Sequence, residues 1–292
     1  MSASTTELVE QSKKRPLATL PETFRPDRPE VMNRPGGGPQ IEIASGVMLD
    51  CLIGNHNQAH NLTTGIVSIR PGATLPYHIH SCGETITILE GELLFDVAGR
   101  RYRLEKMDNL TIPAGLAHQA VNSSGAVVKA HVALASSTPD RVLVPDEFQV
   151  TEMAQDATGL KGKEHVVRFK LARRYAAGPN TEFIDHLNSD LIPGIEMSGG
   201  YGLFHQGGRL PAHIHDFDES ICIIEGAAVC NVEGKRYAMS HRETALQPRG
   251  RVHYFINEAP EPMAMLWVYA GPRPERIIID EAWTAPGSQA WR

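Results

Sequence analysis

The chain has 292 residues with a formal net charge of −6, and 41% of its residues are hydrophobic. This apolar content excludes a disordered chain, and the length suits one large domain or two modest ones. Because phosphate neutralisation needs clustered positive charge, the mild acidity argues against nucleic acid as a partner. No run reaches the roughly 18–20 apolar residues of a membrane helix, and the N-terminus lacks an apolar signal core. With four cysteines and no CxxC motif, we expect a cytoplasmic protein without a membrane partner.

The chain contains two copies of one unit. Residues Gly72 to Asn122 align with Gly207 to Asn257 without a gap, at an offset of 135 residues. Each copy holds short apolar runs separated by turns with Gly, Pro or Asn, at 85–89, 93–97 and 110–112 and at 221–224 and 229–232. Such runs predict an all-β sandwich or barrel in each half.

The predicted organisation has five parts in chain order. They are an extended N-terminal arm (1–38), an N-terminal barrel (39–137), a polar linker (138–163), a C-terminal barrel (164–281) and a C-terminal tail (282–292). An extended arm can add a strand to the sheet of another copy and cover an exposed edge. We therefore expect a homodimer or a larger homo-oligomer.

Histidines and one glutamate recur in each copy at metal-ligand spacing. On a strand, His78 and His80 share one face because side chains alternate. Glu84 lies on the same face beyond a short turn, and His118 belongs to a later strand. Three imidazoles and a carboxylate suit a divalent transition metal with coordination positions left open. The second copy repeats the set as His213, His215, Glu219 and His253.

These residues resemble the two motifs of the cupin superfamily. The first motif, G(x)5HxH(x)3–4E(x)6G, is matched in both copies, from Gly72 to Gly91 and from Gly207 to Gly226. The second is matched from Pro113 to Asn122 and from Pro248 to Asn257, with Met107 and Arg242 in place of its leading glycine. The resemblance implies a bicupin with two double-stranded β-helix (jelly-roll) barrels. It implies up to one metal per barrel: Fe(II) or Mn(II), or else Ni, Cu, Zn or Co.

Residues beside the ligands indicate the chemistry. On the strands that carry the ligands, the other side chains on the ligand face are apolar in both copies, Phe255 among them. An apolar wall around a redox metal suits oxygen activation. Arg249 and Arg251 replace an alanine and a leucine of the first copy. They are candidate ligands for a substrate carboxylate, or else surface arginines or partners of acids of the neighbouring barrel. No spare carboxylate or lysine is present there. The catalytic base is therefore expected to be an oxygen species on the metal, or the ligand Glu84 or Glu219 after its release from the metal.

The leading hypothesis is a metal-dependent enzyme, a dioxygenase that acts on a small aromatic or carboxylated organic compound. The two arginines favour the second barrel for catalysis. An alternative is a Lewis-acid enzyme, meaning a decarboxylase, an isomerase or a hydrolase similar to ureidoglycine aminohydrolase. A third is a non-catalytic protein that binds a metal or a metabolite.

Overall fold

The structure is a computed structural model that describes residues 27–144, 149–154 and 158–284. The remaining parts of the predicted arm, linker and tail lie outside the described residues. Within these ranges the chain forms 25 strands and no α-helix, with 3-10 helices at Asn55–Asn57 and Glu281–Thr284. No helix in the described part is long and apolar enough to span a membrane. The all-β class expected from the apolar runs is confirmed.

The chain divides into two compact units, which we call the N-terminal and C-terminal barrels. The N-terminal barrel comprises Arg34–Ala172 and His186–Ser198. The C-terminal barrel comprises Arg173–Asp185 together with the described residues before 34 and from 199 onward. Strands are numbered in chain order, and the first, β1 (Val31–Asn33), belongs to the C-terminal barrel.

The N-terminal barrel is a jelly roll of two sheets. Its strands are β2 (Gln40–Ala44), β3 (Val47–Ile53), β4 (Thr63–Ile69), β5 (Thr74–Ile79), β6 (Glu84–Glu90), β7 (Leu93–Val97), β8 (Arg100–Leu104), β9 (Asn109–Ile112), β10 (His118–Val121), β11 (Val128–Leu134), β12 (Val142–Leu143), β13 (Glu152–Met153), β14 (Gly159–Leu160) and β15 (His165–Val167). One sheet has the order β14-β15-β9-β6-β11-β4-β3-β2 and the other β12-β5-β10-β7-β8-β13. Alternation along β6 places Ile86 and Ile88 in the apolar core.

The C-terminal barrel repeats this architecture. Its further strands are β16 (Thr181–Leu187), β17 (Ser198–Phe204), β18 (His213–Ile214), β19 (Glu219–Glu225), β20 (Ala228–Val232), β21 (Lys235–Met239), β22 (Thr244–Gln247), β23 (His253–Ile256), β24 (Met263–Tyr269) and β25 (Ile277–Ile278). The two sheets have the orders β1-β22-β19-β24-β17-β16 and β21-β20-β23-β18-β25. The tandem jelly-roll fold implied by the motifs is therefore confirmed.

Each barrel contains the strand that precedes the other barrel in sequence. In the N-terminal barrel, β15 pairs antiparallel with β9, and in the C-terminal barrel β1 pairs antiparallel with the corresponding strand β22. A buried glutamate beside each added strand accepts a hydrogen bond from a repeated tyrosine. Glu164 accepts from Tyr102, and Glu30 accepts from Tyr237 at 2.6 Å. The segments with β15 and β1 therefore have equivalent places in the two barrels, although their sequences differ.

The two departures from the second motif concern one turn. Met107 and Arg242, which replace its leading glycine, have φ angles of 71° and 66°. Glycine adopts this left-handed region without steric cost, whereas side-chain-bearing residues enter it at a cost. The backbone therefore keeps the turn that the motif prescribes, although both barrels have lost its glycine.

Candidate metal centres

The N-terminal barrel gathers His78, His80, Glu84 and His118 at one point. His78 lies in β5, Glu84 begins β6, and His118 begins β10, where it is paired with His78 across the two strands. One ligand atom from each of the four residues lies within 4.8 Å of the others. Glu84 Oε2 is 2.8 Å from His118 Nε2 and 3.5 Å from His80 Nε2. The spacing on the strands therefore produces one compact donor set.

Backbone carbonyls orient the three imidazoles. His78 Nδ1 donates to the Pro76 carbonyl and His118 Nδ1 to the Leu116 carbonyl, both at 2.8 Å. His80 Nδ1 donates to the carbonyl of Asp140. Because a carbonyl only accepts, each Nδ1 carries the proton and each Nε2 presents a lone pair to the site. This is the tautomer that binds a metal through Nε2.

Burial sets the charges of these ligands. It lowers the pKa of His78 to about 4. Burial alone would raise the pKa of Glu84, but the adjacent imidazoles of His118, His80 and His78 lower it to about 2. At neutral pH the site therefore holds an ionised carboxylate and a neutral His78. Glu84 Oε2 and His118 Nε2 are buried without a hydrogen-bond partner, so these donors fit a divalent cation.

The C-terminal barrel repeats the donor set with His213, His215, Glu219 and His253, whose ligand atoms again lie within 4.8 Å of one another. Glu219 Oε2 is 2.8 Å from His253 Nε2 and 3.2 Å from His215 Nε2. The Nδ1 atoms donate to backbone carbonyls at 2.7–2.8 Å. The pKa of Glu219 is about 2, since the adjacent imidazoles of His215 and His253 outweigh the effect of burial. Two His3Glu sites with these donors support one divalent metal per barrel.

The interiors of the two barrels differ. The N-terminal barrel contains a cavity of about 450 Å³ that is open to the surface, and His78, His80 and Glu84 form part of its wall. Five aliphatic residues of that wall correspond, at the repeat offset, to larger residues of the C-terminal core, four of them aromatic. The cavity residues are Ile69, Ala120, Ala130, Val132 and Leu134, and their counterparts are Phe204, Phe255, Met265, Trp267 and Tyr269.

Aromatic rings also contact the C-terminal ligands. The Tyr269 ring lies 4.4 Å from that of His215, and the Phe217 ring stacks on His215 at 5.2 Å. Burial together with the nearby Glu219 charge raises the pKa of the Tyr269 phenol well above its ordinary value. The side chains of the C-terminal barrel thus occupy space that is open in the N-terminal barrel.

The three predicted substrate-binding residues are engaged with other parts of the C-terminal barrel. Arg249 forms an ion pair with Asp27 at 3.2 Å. Arg251 binds Glu233 at 2.7 Å and donates to the Arg28 carbonyl at 2.8 Å. Phe255 is 2% exposed and packs in the core. A substrate carboxylate would have to displace these acids. The sequence left open a pairing with acids of the neighbouring barrel, but Asp27 and Glu233 belong to the same barrel as the arginines.

Sequence reasoning missed the strands that close both sites. Asp140 and Glu275, whose carbonyls orient His80 and His215, lie 135 residues apart, and β12 and β25 follow them to pair with β5 and β18. The signal was present as the repeat Pro-Asp-Arg-Val-Leu-Val at 139–144 and Pro-Glu-Arg-Ile-Ile-Ile at 274–279. The first copy of that repeat falls in the segment predicted to be a linker.

Comparisons with known proteins agree with this architecture. The cupin domain model matches residues 65–134 and 200–269. The structure resembles oxalate decarboxylase of Lactobacillus farciminis, with TM-score 0.68, 15% identity and coverage of 88% of this chain and 91% of that one. It also resembles a salicylate 1,2-dioxygenase of Pseudaminobacter salicylatoxidans, with TM-score 0.67, 14% identity and coverage of 91% and 92%. At these identities the likeness shows the fold.

A relative by sequence is the HTH-type transcriptional regulator PuuR of Escherichia coli, 29% identical over 109 residues. The match covers 37% of this chain and 58% of the regulator's length. The tandem jelly rolls and their paired donor sets define a two-site metal-binding β protein. Together with the two matched domains, they show that the chain belongs to the cupin superfamily and is a bicupin.

Proposed function

We propose that the protein is a metal-dependent dioxygenase that acts on a small aromatic or carboxylated organic compound in the N-terminal barrel. The observation that carries the proposal is the cavity of about 450 Å³ with three metal ligands in its wall. The predicted preference for the second barrel rested on Arg249 and Arg251, and these side chains bind protein acids. The cavity therefore moves the proposed reaction to the first barrel.

The size and lining of the cavity favour an organic molecule with an apolar body. An apolar cavity of about 150 Å³ holds benzene in another protein, so one of about 450 Å³ has room for a substituted ring. Its inner wall consists of Val, Ile, Leu, Ala and Phe side chains. The polar lining residues are the ligands, Glu42, Thr63 and residues of segments 54–56 and 137–141. Such a wall excludes water from the reacting atoms and orients a substrate by shape.

The chain's own groups have defined tasks in this proposal. His78, His80, Glu84 and His118 would hold the metal, which when bound supplies Lewis acidity and, as iron, the redox chemistry needed for dioxygen. Glu84 is an acceptor in an apolar wall and can take a substrate proton on Oε2 if it leaves the metal. The backbone carbonyls on the imidazoles keep the remaining ligands in place during that exchange.

Oxygen consumption by the Fe(II)-loaded protein tests the proposal. The chain offers a matched pair of variants, His80→Ala for the N-terminal site and His215→Ala for the C-terminal site. We expect each variant to lose one metal equivalent by elemental mass spectrometry. Uptake with small aromatic acids should disappear in His80→Ala and persist in His215→Ala.

Three results would contradict the proposal. Uptake that survives His80→Ala would place the chemistry elsewhere. Turnover without oxygen uptake would favour the Lewis-acid alternative. Retention of a bound metabolite without turnover would favour a binding protein.

Self-association remains a proposal as well. The described end of the predicted arm, β1, pairs with β22 of its own chain, so this strand is already used. Sedimentation at several concentrations would show whether copies associate.

A further inference from the structure

The repeat places one arginine at the same position in each barrel. Arg141 follows Asp140, whose carbonyl orients His80, and Arg276 follows Glu275, whose carbonyl orients His215. Each arginine immediately precedes the short strand that pairs with the strand carrying the first histidine ligand. Both arginines therefore lie on a backbone segment that contacts a metal centre.

In the C-terminal barrel this arginine is matched by an internal acid. Burial raises the pKa of Asp185, while a hydrogen bond from Tyr175 and the charge of Arg276 favour its ionised form. The Tyr175 hydroxyl donates to Asp185 Oδ1 at 2.5 Å. Arg276 also acts electrostatically on His213 and Tyr269, which places its charge next to the C-terminal site. This barrel thus contains a carboxylate within electrostatic range of its arginine.

The N-terminal barrel lacks that acid. The repeat aligns Gly65 with Gly200. A Cβ on Gly65 would lie 2.2 Å from the carbonyl oxygen of the residue before Cys51, and one on Gly200 would lie 2.1 Å from that of the residue before Asp185. Cys51 therefore occupies the position of Asp185. Burial is the main cause that raises the pKa of its thiol, so it carries no charge at neutral pH.

Arg141 consequently has no counterpart of Asp185. Two other acids line the same cavity, but Glu42 accepts a hydrogen bond from Gly46 N and Asp140 accepts two from Ser81. Cys51 and Arg141 line the same cavity, and Arg141 is exposed at its rim. Among the residues that the structure describes, Arg141 forms no hydrogen bond or ion pair through its side chain. A guanidinium beside an apolar cavity binds a carboxylate in a bidentate manner, with two charge-assisted hydrogen bonds.

We propose that Arg141 binds the carboxylate of an organic acid whose apolar body fills the cavity of the N-terminal barrel. The inference rests on the proposed function and narrows its substrate class to carboxylates with an apolar or aromatic body. The carboxylate takes the role that Asp185 has in the other barrel. The ring then lies between Arg141 and the metal ligands on the cavity wall.

Calorimetric titration of the Zn(II)-loaded protein with benzoate tests this assignment, because zinc permits binding without redox turnover. Benzamide, which has the same ring and no charge, is the matched probe. A hydrogen bond between charged groups contributes about 1.5–3 kcal/mol, so Arg141→Gln should weaken benzoate binding about 10- to 100-fold and leave benzamide unchanged. The control Arg103→Gln removes an arginine whose side chain is 62% exposed and should have no effect.

A second variant tests the same carboxylate site while Arg141 stays in place. Cys51→Asp restores the acid of the other barrel and should weaken benzoate binding about as much as Arg141→Gln, whereas Cys51→Asn should not. Equal benzoate affinity in the wild type and Arg141→Gln would overturn the assignment, and so would the absence of benzoate binding in the wild type. Oxygen uptake reports separately on the proposed function. Arginine-dependent benzoate binding without uptake would refute the dioxygenase and leave the carboxylate site.

Discussion

The substitution of Ala120 by phenylalanine and the reverse change at Phe255 should have opposite consequences, because the two positions correspond in the repeat. Phe255 is 2% exposed in a core that also contains Phe204 and Trp267. Truncating such a phenylalanine to alanine removes packed atoms and leaves a void. We therefore expect Phe255→Ala to lower the free energy of unfolding by about 3–5 kcal/mol.

Ala120 is equally buried, at 1% exposure, but lines the cavity of about 450 Å³. A larger side chain in a filled core costs about 1–3 kcal/mol through strain. Because the ring of Ala120→Phe can enter the cavity, we expect a change below about 1 kcal/mol. The same ring should abolish benzoate binding while the metal content stays at the wild-type value.

Urea denaturation monitored by circular dichroism gives both changes in stability, and elemental analysis with benzoate titration gives the other readouts. Ala120→Val is the control for a small increase in volume. If Ala120→Phe costs as much as Phe255→Ala, the N-terminal interior is filled and the reasoning from the cavity fails. Benzoate binding that survives Ala120→Phe would place the ligand elsewhere.

Three further outcomes follow from the buried charges. Arg28→Ala should destabilise the protein by about 3–5 kcal/mol in urea denaturation, because it leaves the 1%-exposed Asp218 without its bidentate partner at 2.8 Å; adding Asp218→Asn should restore part of the loss. Burial lowers the pKa of His131 to about 4, so the unfolded chain binds its proton first and stability falls as pH drops from about 6.5 to about 4. His131→Gln should remove up to about 3 kcal/mol of that dependence, and an unchanged pH profile would contradict the assignment. Glu84→Gln and Glu219→Gln should each remove one metal equivalent by elemental mass spectrometry; loss of both from either variant would contradict two independent sites.

The sequence predicted the fold class and both donor sets because these depend on local rules. Period-two alternation places His78 and His80 on one face, and the repeat doubled that signal. The cavity depends instead on small differences in side-chain volume, such as Ala120 against Phe255, whose effect appears only when a barrel closes. The environments of Arg249 and Arg251 depend on the segment with Asp27 and Arg28, which is more than 200 residues away in sequence. Periodicity carries no information about such contacts.

The strand exchange has a consequence for synthesis on the ribosome. The N-terminal barrel contains β15, so it can close only after residue 167 has left the exit tunnel. The segment with β1 is made first and is paired with β22, so it must wait until residues 244–246 exist. Because domains otherwise fold as units during synthesis, this chain keeps one early segment unpaired through most of translation. The pairing of β1 with β22 joins residues more than 200 positions apart, a slow long-range step for a nascent chain.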